Sequence, residues 1–210
     1  MVSKMLVHGS NRRSFGIDAH AGLVITGLSA DGRQIVNRAR EEAHNYKDTY
    51  GHRIVPSVLA TRLSLYMHYF TIYGSLRPFG ATAIIAAYDE DMKTPEMYML
   101  EPSGVAFRYF GCAAGKGAQA AKTELEKILG KNSSLTCDEA TKEIAKMYNM
   151  LYSFYWNLRI YSFLFYYLFF LVCRLYTIRD LSRDKPFEIE MGWLCEASNF
   201  KYSPVPANLL

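Results

Sequence analysis

The sequence predicts an α+β protein in which pairs of helices pack on antiparallel sheets. Along its 210 residues the strand-like and helical patterns come in groups, in the order strands, two helices, strands, two helices and a final strand. A doubly wound parallel sheet needs strands and helices to alternate, so the grouped order favours separate α and β layers. The length and the 50% hydrophobic content suit one domain with a full core.

Two helices are predicted in the first half of the chain. The first runs from about Ser29 to Tyr50 and ends at Gly51. The second follows "PS", with Ser57 as its N-cap. Each carries apolar residues at steps of three and four, as expected for a helix with one buried face. These residues are Ile35, Val36, Ala39, Ala43, Tyr46 and Tyr50 in the first helix, and Leu59, Leu63, Tyr66, Phe70 and Tyr73 in the second.

Strand-like runs flank these helices. "SFGID" and "AGLVITGL" precede the first helix, and "PFEIEMGWL" lies near the end of the chain. "ATAIIAAY" and "EMYMLEP" are joined by the polar "DEDMKTP", a pattern that predicts a hairpin. "GVAFRYFGCAA" is compatible with a strand pair or with one bent strand.

The second pair of helices is predicted from "KGAQAAKTELEKIL" onwards, with Ala121, Leu125 and Ile128 facing inward. Thr136 and Glu139 have the T-x-x-E spacing of a capping box, in which each residue satisfies a backbone N–H near the other. A further helix is therefore expected to begin there.

Composition excludes several classes of function. The net charge of +4 is too small, and its basic residues too mixed with acidic ones, to predict a nucleic-acid partner. The four cysteines, at positions 112, 137, 173 and 195, have no short spacing, which argues against a zinc site or a disulfide framework and fits a reducing compartment. The start lacks the apolar core of a signal peptide, so we expect the cytoplasm or nucleus.

Motifs that would carry chemistry are weak. "GCAAGKG" (Gly111 to Gly117) resembles a phosphate-binding loop, but its spacer is one residue short and a glycine replaces the Ser/Thr, so a strand-to-helix turn is favoured. His68 is interpreted as a partly buried or interface residue and not a metal ligand. The acidic run from Asp89 to Asp91 is interpreted as a solvated hairpin tip and not a general acid–base pair. We expect no catalytic centre, metal or cofactor.

Three blocks, in order, resemble the α-type subunits of the 20S proteasome. They are the helix start in "GLSADGRQIVNRAREEAHNYKDTYG", the R-P-F-G turn in "YGSLRPFGATAIIAAYDED", and "YMLEPSGVAFRYFGCAAGKGAQAAKTELEK". The resemblance covers most of residues 3–147 and 175–208 and treats 1–210 as one domain. It implies the four-layer αββα sandwich of the N-terminal-nucleophile hydrolases.

The resemblance also implies a function. α-Type subunits are non-catalytic: seven of them form a ring that stacks on the β ring, admits substrates for ubiquitin-dependent degradation and receives the C-terminal tails of activators. Catalysis in this superfamily needs a threonine freed at the N-terminus. The chain contains no Gly-Thr dipeptide, the usual site of that cleavage. Gly9-Ser10 is the one local mimic, and it reads as part of a turn.

Arg13 is the candidate functional residue. It falls where many relatives carry a lysine that pairs with the carboxylate of an activator tail. Arginine keeps that charge but presents a planar fork in place of a compact ammonium. The alternative interpretation of Arg13 is a solvated residue of the "GSNRR" turn.

The chain departs from the family pattern at both ends. It begins within what would be an early strand, without the N-terminal helix, the gate-forming tail or their Y-D-R and F-S-P-D-G-R motifs. It stops at "VPANLL", where relatives continue into a last helix. We expect this polypeptide not to help close the pore and to pack less well against its ring neighbours.

The segment 148–174 is predicted to be an addition, because joining Met147 to Leu175 restores family-like sequence. Its apolar part, 160–173, would span about 21 Å as a helix, which is short of a hydrocarbon core of about 30 Å. Lengthening it brings in Arg159, at a cost of about 3 kcal/mol in a bilayer. A translated intron is the leading hypothesis, followed by a lineage-specific insertion and then by a membrane segment.

Overall fold

The computed structural model describes residues 12–115, 117–131, 136, 139–144, 160–166, 169–176 and 188–206. The helices are α1 (Ser29–Tyr50), α2 (Pro56–Ile72) and α3 (Ala118–Lys131), with helical residues 139–144 and a 3-10 turn at Glu196–Ser198. The strands are β1 (Ser14–Asp18), β2 (Ala21–Gly27), β3 (Ala81–Asp89), β4 (Thr94–Leu100), β5 (Ala106–Arg108), β6 (Gly111–Gly115), β7 (Ile160–Tyr166), β8 (Phe169–Tyr176), β9 (Glu188–Cys195) and β10 (Ser203–Pro204).

Ten strands form two antiparallel sheets among the described residues. Sheet A has the order β1-β2-β3-β4-β5, and sheet B has the order β10-β9-β8-β7-β6. Helices α1 and α2 pack on sheet A, while α3 packs on β6 and β7 of sheet B. The α+β prediction is therefore confirmed, with helix, sheet, sheet and helix stacked in that order.

The alternation of side chains along the inner strands builds two separate cores. On β2, Leu23 and Ile25 face α1 and α2, while Val24 faces sheet B. The helix-facing core holds Ile35, Leu59, Leu63 and Met67, each fully buried. The core between the sheets is lined by Val24, Ile84, Ala86, Met97, Met99, Cys112, Ala114 and Leu194. Because sheet A is buried on both faces, its strands β2 and β3 are almost continuously apolar.

The "GVAFRYFGCAA" stretch forms two strands that belong to different sheets. β5 pairs with β4 in sheet A, whereas β6 pairs with β7 in sheet B. The chain passes from one sheet to the other between Arg108 and Gly111. The sequence left open a strand pair or one bent strand; the structure has two strands, which do not pair with each other.

The predicted helices are confirmed, with one wrong cap. α1 has the predicted bounds, and Gly51 ends it in a left-handed conformation with φ of 76°. α2 begins at Pro56 with Val55 as N-cap, so the assignment of Ser57 was wrong. Proline at the first position of a helix loses no hydrogen bond, since that N–H has no partner within the helix. The exposed Tyr50 and Tyr73 do not belong to the buried faces proposed for them.

Part of the segment 148–174 lies within sheet B. β7 pairs with β6 and with β8, and β8 pairs with β9, so the two strands occupy the middle of the sheet. In the described part of the chain no helix is both long and apolar enough to cross a membrane. The origin of the segment stays a prediction.

Candidate functional site

The first turn of α1 is tied to the R-P-F-G turn through Asp31. Its carboxylate accepts hydrogen bonds from both terminal nitrogens of Arg77, at 2.7 and 2.8 Å, and from the backbone N–H of Gly80, at 2.8 Å. The hydrogen bonds from Arg77 lower the pKa of Asp31 the most, and the hydrogen bond from Gly80 lowers it further. The pKa is about 2 as a result. Two of the three sequence blocks therefore meet at one buried carboxylate.

Arg13 lies at the same corner of the molecule, immediately before β1. Its guanidinium donates to the carbonyl oxygen of Gly27, and its own carbonyl accepts the N–H of Ile25 at 3.0 Å. Leu28, which follows Gly27 in the chain, is exposed. Its N–H donates to the carbonyl of Gly80 at 2.9 Å. Arg13 itself is only 6% exposed, so its interpretation as a solvated turn residue is wrong. Its role toward activator tails stays a prediction.

The outer face of α2 carries a row of exposed apolar side chains that sequence reasoning missed. Leu65 and Ile72 are 63% and 62% exposed, and Tyr69 lies between them in the row. Tyr73 and Leu76 extend the row beyond the end of the helix. We call Leu65, Tyr69, Ile72, Tyr73 and Leu76 the α2 outer row. The spacing of Leu65, Tyr69 and Ile72 by four and then three residues was visible in the sequence. α2 is apolar on both of its faces, and such a helix is ordinarily buried.

The other sequence candidates have structural roles. Gly111 to Gly115 form β6, and α3 begins at Ala118, so this stretch is the strand-to-helix turn that the sequence favoured. His68 is exposed, and its Nδ1 lies 3.2 Å from the carbonyl oxygen of Ser103. Gly9-Ser10 lies outside the described residues. No group of three potential metal ligands occurs within the described ranges.

The hairpin tip at Asp89 to Asp91 is a partial exception to its predicted solvation. Asp89 is buried, and its Oδ1 accepts the N–H groups of Asp91 and Met92 at 2.9 and 3.0 Å. It therefore fixes the turn by local side-chain hydrogen bonds. Glu90 is exposed and forms an ion pair with Arg53 in the loop between α1 and α2.

A sandwich of two antiparallel sheets between helices, with a G-L-x-A-D helix start joined to an R-P-F-G turn, defines a class of subunit that builds protein-degrading particles. The profile described as "Proteasome subunit" matches residues 1–153 of the chain. The chain belongs to the proteasome subunit family, and its α+β architecture fits the N-terminal-nucleophile hydrolase type.

Similar proteins narrow this assignment to the α type. The chain is 44% identical to "Proteasome subunit alpha type-3" of Oryza sativa subsp. japonica over all its 210 residues, which cover 72% of that protein. It is 42% identical to the protein of the same name from Dictyostelium discoideum, over 99% of this chain and 71% of the other. "Probable proteasome subunit alpha type-7" of Schizosaccharomyces pombe is 39% identical over the whole chain and 71% of its own length.

These relatives confirm the prediction made from the sequence blocks. The third block, together with "SLTCDEATKEIAK" and "DKPFEIEMGWLCEAS", most resembles the alpha type-3 kind, which is also called α7. The proteins from rice and Dictyostelium carry that name. The profile match ends at residue 153, shortly after the predicted addition begins at residue 148.

Proposed function

We propose that this chain is a non-catalytic subunit of the outer α ring of the 20S proteasome, where it helps to form the ring and to receive activators. Its proposed partners are the other α subunits, β subunits of the adjacent ring and the C-terminal tails of activators. Its proposed location is the cytoplasm and nucleus. The absence of a Gly-Thr dipeptide from the sequence supports a non-catalytic role, because the self-freed threonine is the nucleophile of this superfamily.

The observation that carries this proposal is the α2 outer row. A helix whose outer face carries three large exposed apolar side chains, with two more just beyond its end, needs a partner surface. Membership of a family of subunits supplies the kind of partner, a neighbouring proteasome subunit. Covering one Leu or Ile side chain fully contributes about 1.5–3 kcal/mol, so a few such residues suffice to hold a subunit in place.

A charge placed in the α2 outer row tests the proposal. We expect Ile72→Glu to reduce incorporation of the tagged chain into core particles by at least about tenfold, because a carboxylate would be buried without a partner. Thr123→Glu is the matched control, since Thr123 is exposed on α3 at the opposite layer. Incorporation is measured by native gel and by co-purification of other core subunits. Equal incorporation of both variants, or no incorporation of the unmodified chain, would contradict the proposal.

Arg13 is the residue we propose for activator docking. Its buried guanidinium donates to the Gly27 carbonyl beside the exposed Leu28, so docking requires the tail to displace part of what covers Arg13 before its carboxylate meets the positive charge. We expect Arg13→Ala in assembled particles to weaken binding of an activator-tail peptide about tenfold or more, and Arg13→Lys to keep most of it. The neighbouring, exposed Arg12→Ala is the control. An effect of Arg12→Ala equal to that of Arg13→Ala would indicate a general loss of charge and no pocket.

A further inference from the structure

The segment 199–206 contains β10, the edge strand of sheet B, and also reaches the turn between β1 and β2 of sheet A. The N–H of Tyr202 donates to the carbonyl of Ala19, in the turn between β1 and β2 of sheet A, at 2.8 Å. The N–H of Val205 donates to Met191 on β9 of sheet B at 3.0 Å. The indole N–H of Trp193, also on β9, donates to the hydroxyl of Ser203 at 3.0 Å. The segment is therefore a strap that holds the two sheets together.

The ring of Tyr202 fills a slot that Gly22 and Gly192 leave open. Gly16 and Gly22 are cross-strand neighbours on β1 and β2, and Gly192 lies on β9. A methyl group on Gly22 would approach Cδ2 of the tyrosine to 2.2 Å, and one on Gly192 would approach its hydroxyl oxygen to 2.6 Å. Gly22 and Gly192 do not have positive φ angles. These two glycines are thus needed for the space they leave to an aromatic ring, not for their backbone conformation.

The hydroxyl of Tyr202 has a polar partner at the far side of the slot. It is hydrogen-bonded to Ser14, whose own hydroxyl donates to the carboxylate of Glu190 on β9. Burial raises the pKa of the Tyr202 phenol to about 12. A tyrosine that keeps its hydroxyl satisfied fits this slot better than a phenylalanine would.

The strap enters the slot under backbone strain. Asn199 and Phe200 both have left-handed backbone conformations, with φ of 51° and 52°, and such angles are unfavourable for a bulky residue. Phe200 is held there by stacking on Tyr88 of β3, with ring centroids 4.2 Å apart. Release of the ring of Tyr202 would allow this turn to relax.

We infer that Tyr202 is a latch: its ring, seated between Gly22 of sheet A and Gly192 of sheet B, keeps the strained strap 199–206 closed over both sheets. The inference goes beyond the proposed function and does not depend on it. The exposed Lys201 directly precedes the latch and offers a trypsin site that reports whether the strap is open.

Two variants of the full chain test the latch by different routes. We expect Tyr202→Ala, which empties the slot, and Gly22→Ala, which expels the ring, each to accelerate trypsin cleavage after Lys201 by about tenfold or more. Cleavage after the exposed Lys93, in the β3–β4 hairpin, should not change and serves as the internal control. Tyr202→Phe keeps the ring and should give a much smaller increase.

Substitutions at Tyr202 and Gly22 also test the latch through their effects on the thermal unfolding temperature, Tm. We expect Tyr202→Ala to lower Tm by about 10 °C. Gly22→Ala should lower Tm in the parent chain but leave it unchanged, or raise it, when Tyr202 is already alanine, because the ring atoms that the added methyl group would strike are then gone. Equal losses from Gly22→Ala in both backgrounds, or unchanged cleavage after Lys201 in folded Gly22→Ala protein, would overturn the latch.

Discussion

Asp31 combines burial with a partner that stands in solvent. The side chain of Asp31 is 9% exposed, whereas that of Arg77 is 68% exposed. The carboxylate is therefore buried in the protein, and the guanidinium is largely solvated. An exposed ion pair alone contributes little to stability. Here the carboxylate also accepts the N–H of Gly80, and hydrogen bonds to a buried charge are worth about 1.5–3 kcal/mol. The pair therefore fixes the R-P-F-G turn against α1.

At this scale we predict a pH-dependent cost for Asp31→Asn. Folding lowers the pKa of Asp31 from 3.8 to about 2, so its charge stabilises the folded chain fully above about pH 4. That contribution is lost as the pH falls through about 2. The variant should unfold about 2 kcal/mol more easily at pH 7, and the difference from the parent should shrink toward pH 2. Urea titrations at several pH values measure it. Glu41→Gln, at an exposed carboxylate, should show no such trend.

Helices and single strands were predictable because their signals are local. The bounds of α1 follow from apolar spacing and a terminal glycine, and the T-x-x-E box is present, with Thr136 N–H 3.0 Å from Oε2 of Glu139. Which sheet a strand joins depends on contacts distant in sequence. The sequence therefore could not predict that β5 and β6 join different sheets, or that Asp31 forms an ion pair with Arg77. The α2 outer row was not predicted, because the apolar spacing of the buried face of α2 was already enough to predict the helix.

The end of α1 offers a prediction at the scale of one element. Gly51 has φ of 76°, whereas Gly74 does not have positive φ, and added methyl groups would meet open space at both positions. We expect Gly51→Ala to cost about 1 kcal/mol, because only glycine adopts the left-handed conformation without strain. Gly74→Ala should be neutral or slightly stabilising. Chemical denaturation of the two variants compares them directly, and equal effects would show that backbone conformation is not the cause.

At the scale of the whole molecule, the sequence and the structure give opposing expectations for removal of the segment 148–174. The sequence predicts an addition, since its removal joins two family-like stretches. In the structure, β7 and β8 separate β6 from β9, so removal leaves those strands without their partners. The proposal of a translated intron is decided by the mature transcript: an uninterrupted reading frame across Met147 to Leu175 would refute it.

We expect deletion of 148–174 from the polypeptide to reduce soluble, protease-resistant chain, because backbone groups of β6 and β9 lose hydrogen-bonded partners. Limited proteolysis and circular dichroism of the deletion and the full chain provide the comparison. A deletion variant that is as resistant as the full chain, or more so, would show that sheet B does not need the two strands and would favour the addition.

The α2 outer row has a consequence for supply in the cell. Each copy made beyond the number of available neighbours keeps an adhesive surface in contact with water. Such unassembled copies would aggregate or bind chaperones. Their stability would rise with the concentration of partner subunits by mass action. Synthesis of this chain is thus expected to be harmless only when it is matched in amount to the subunits that cover it.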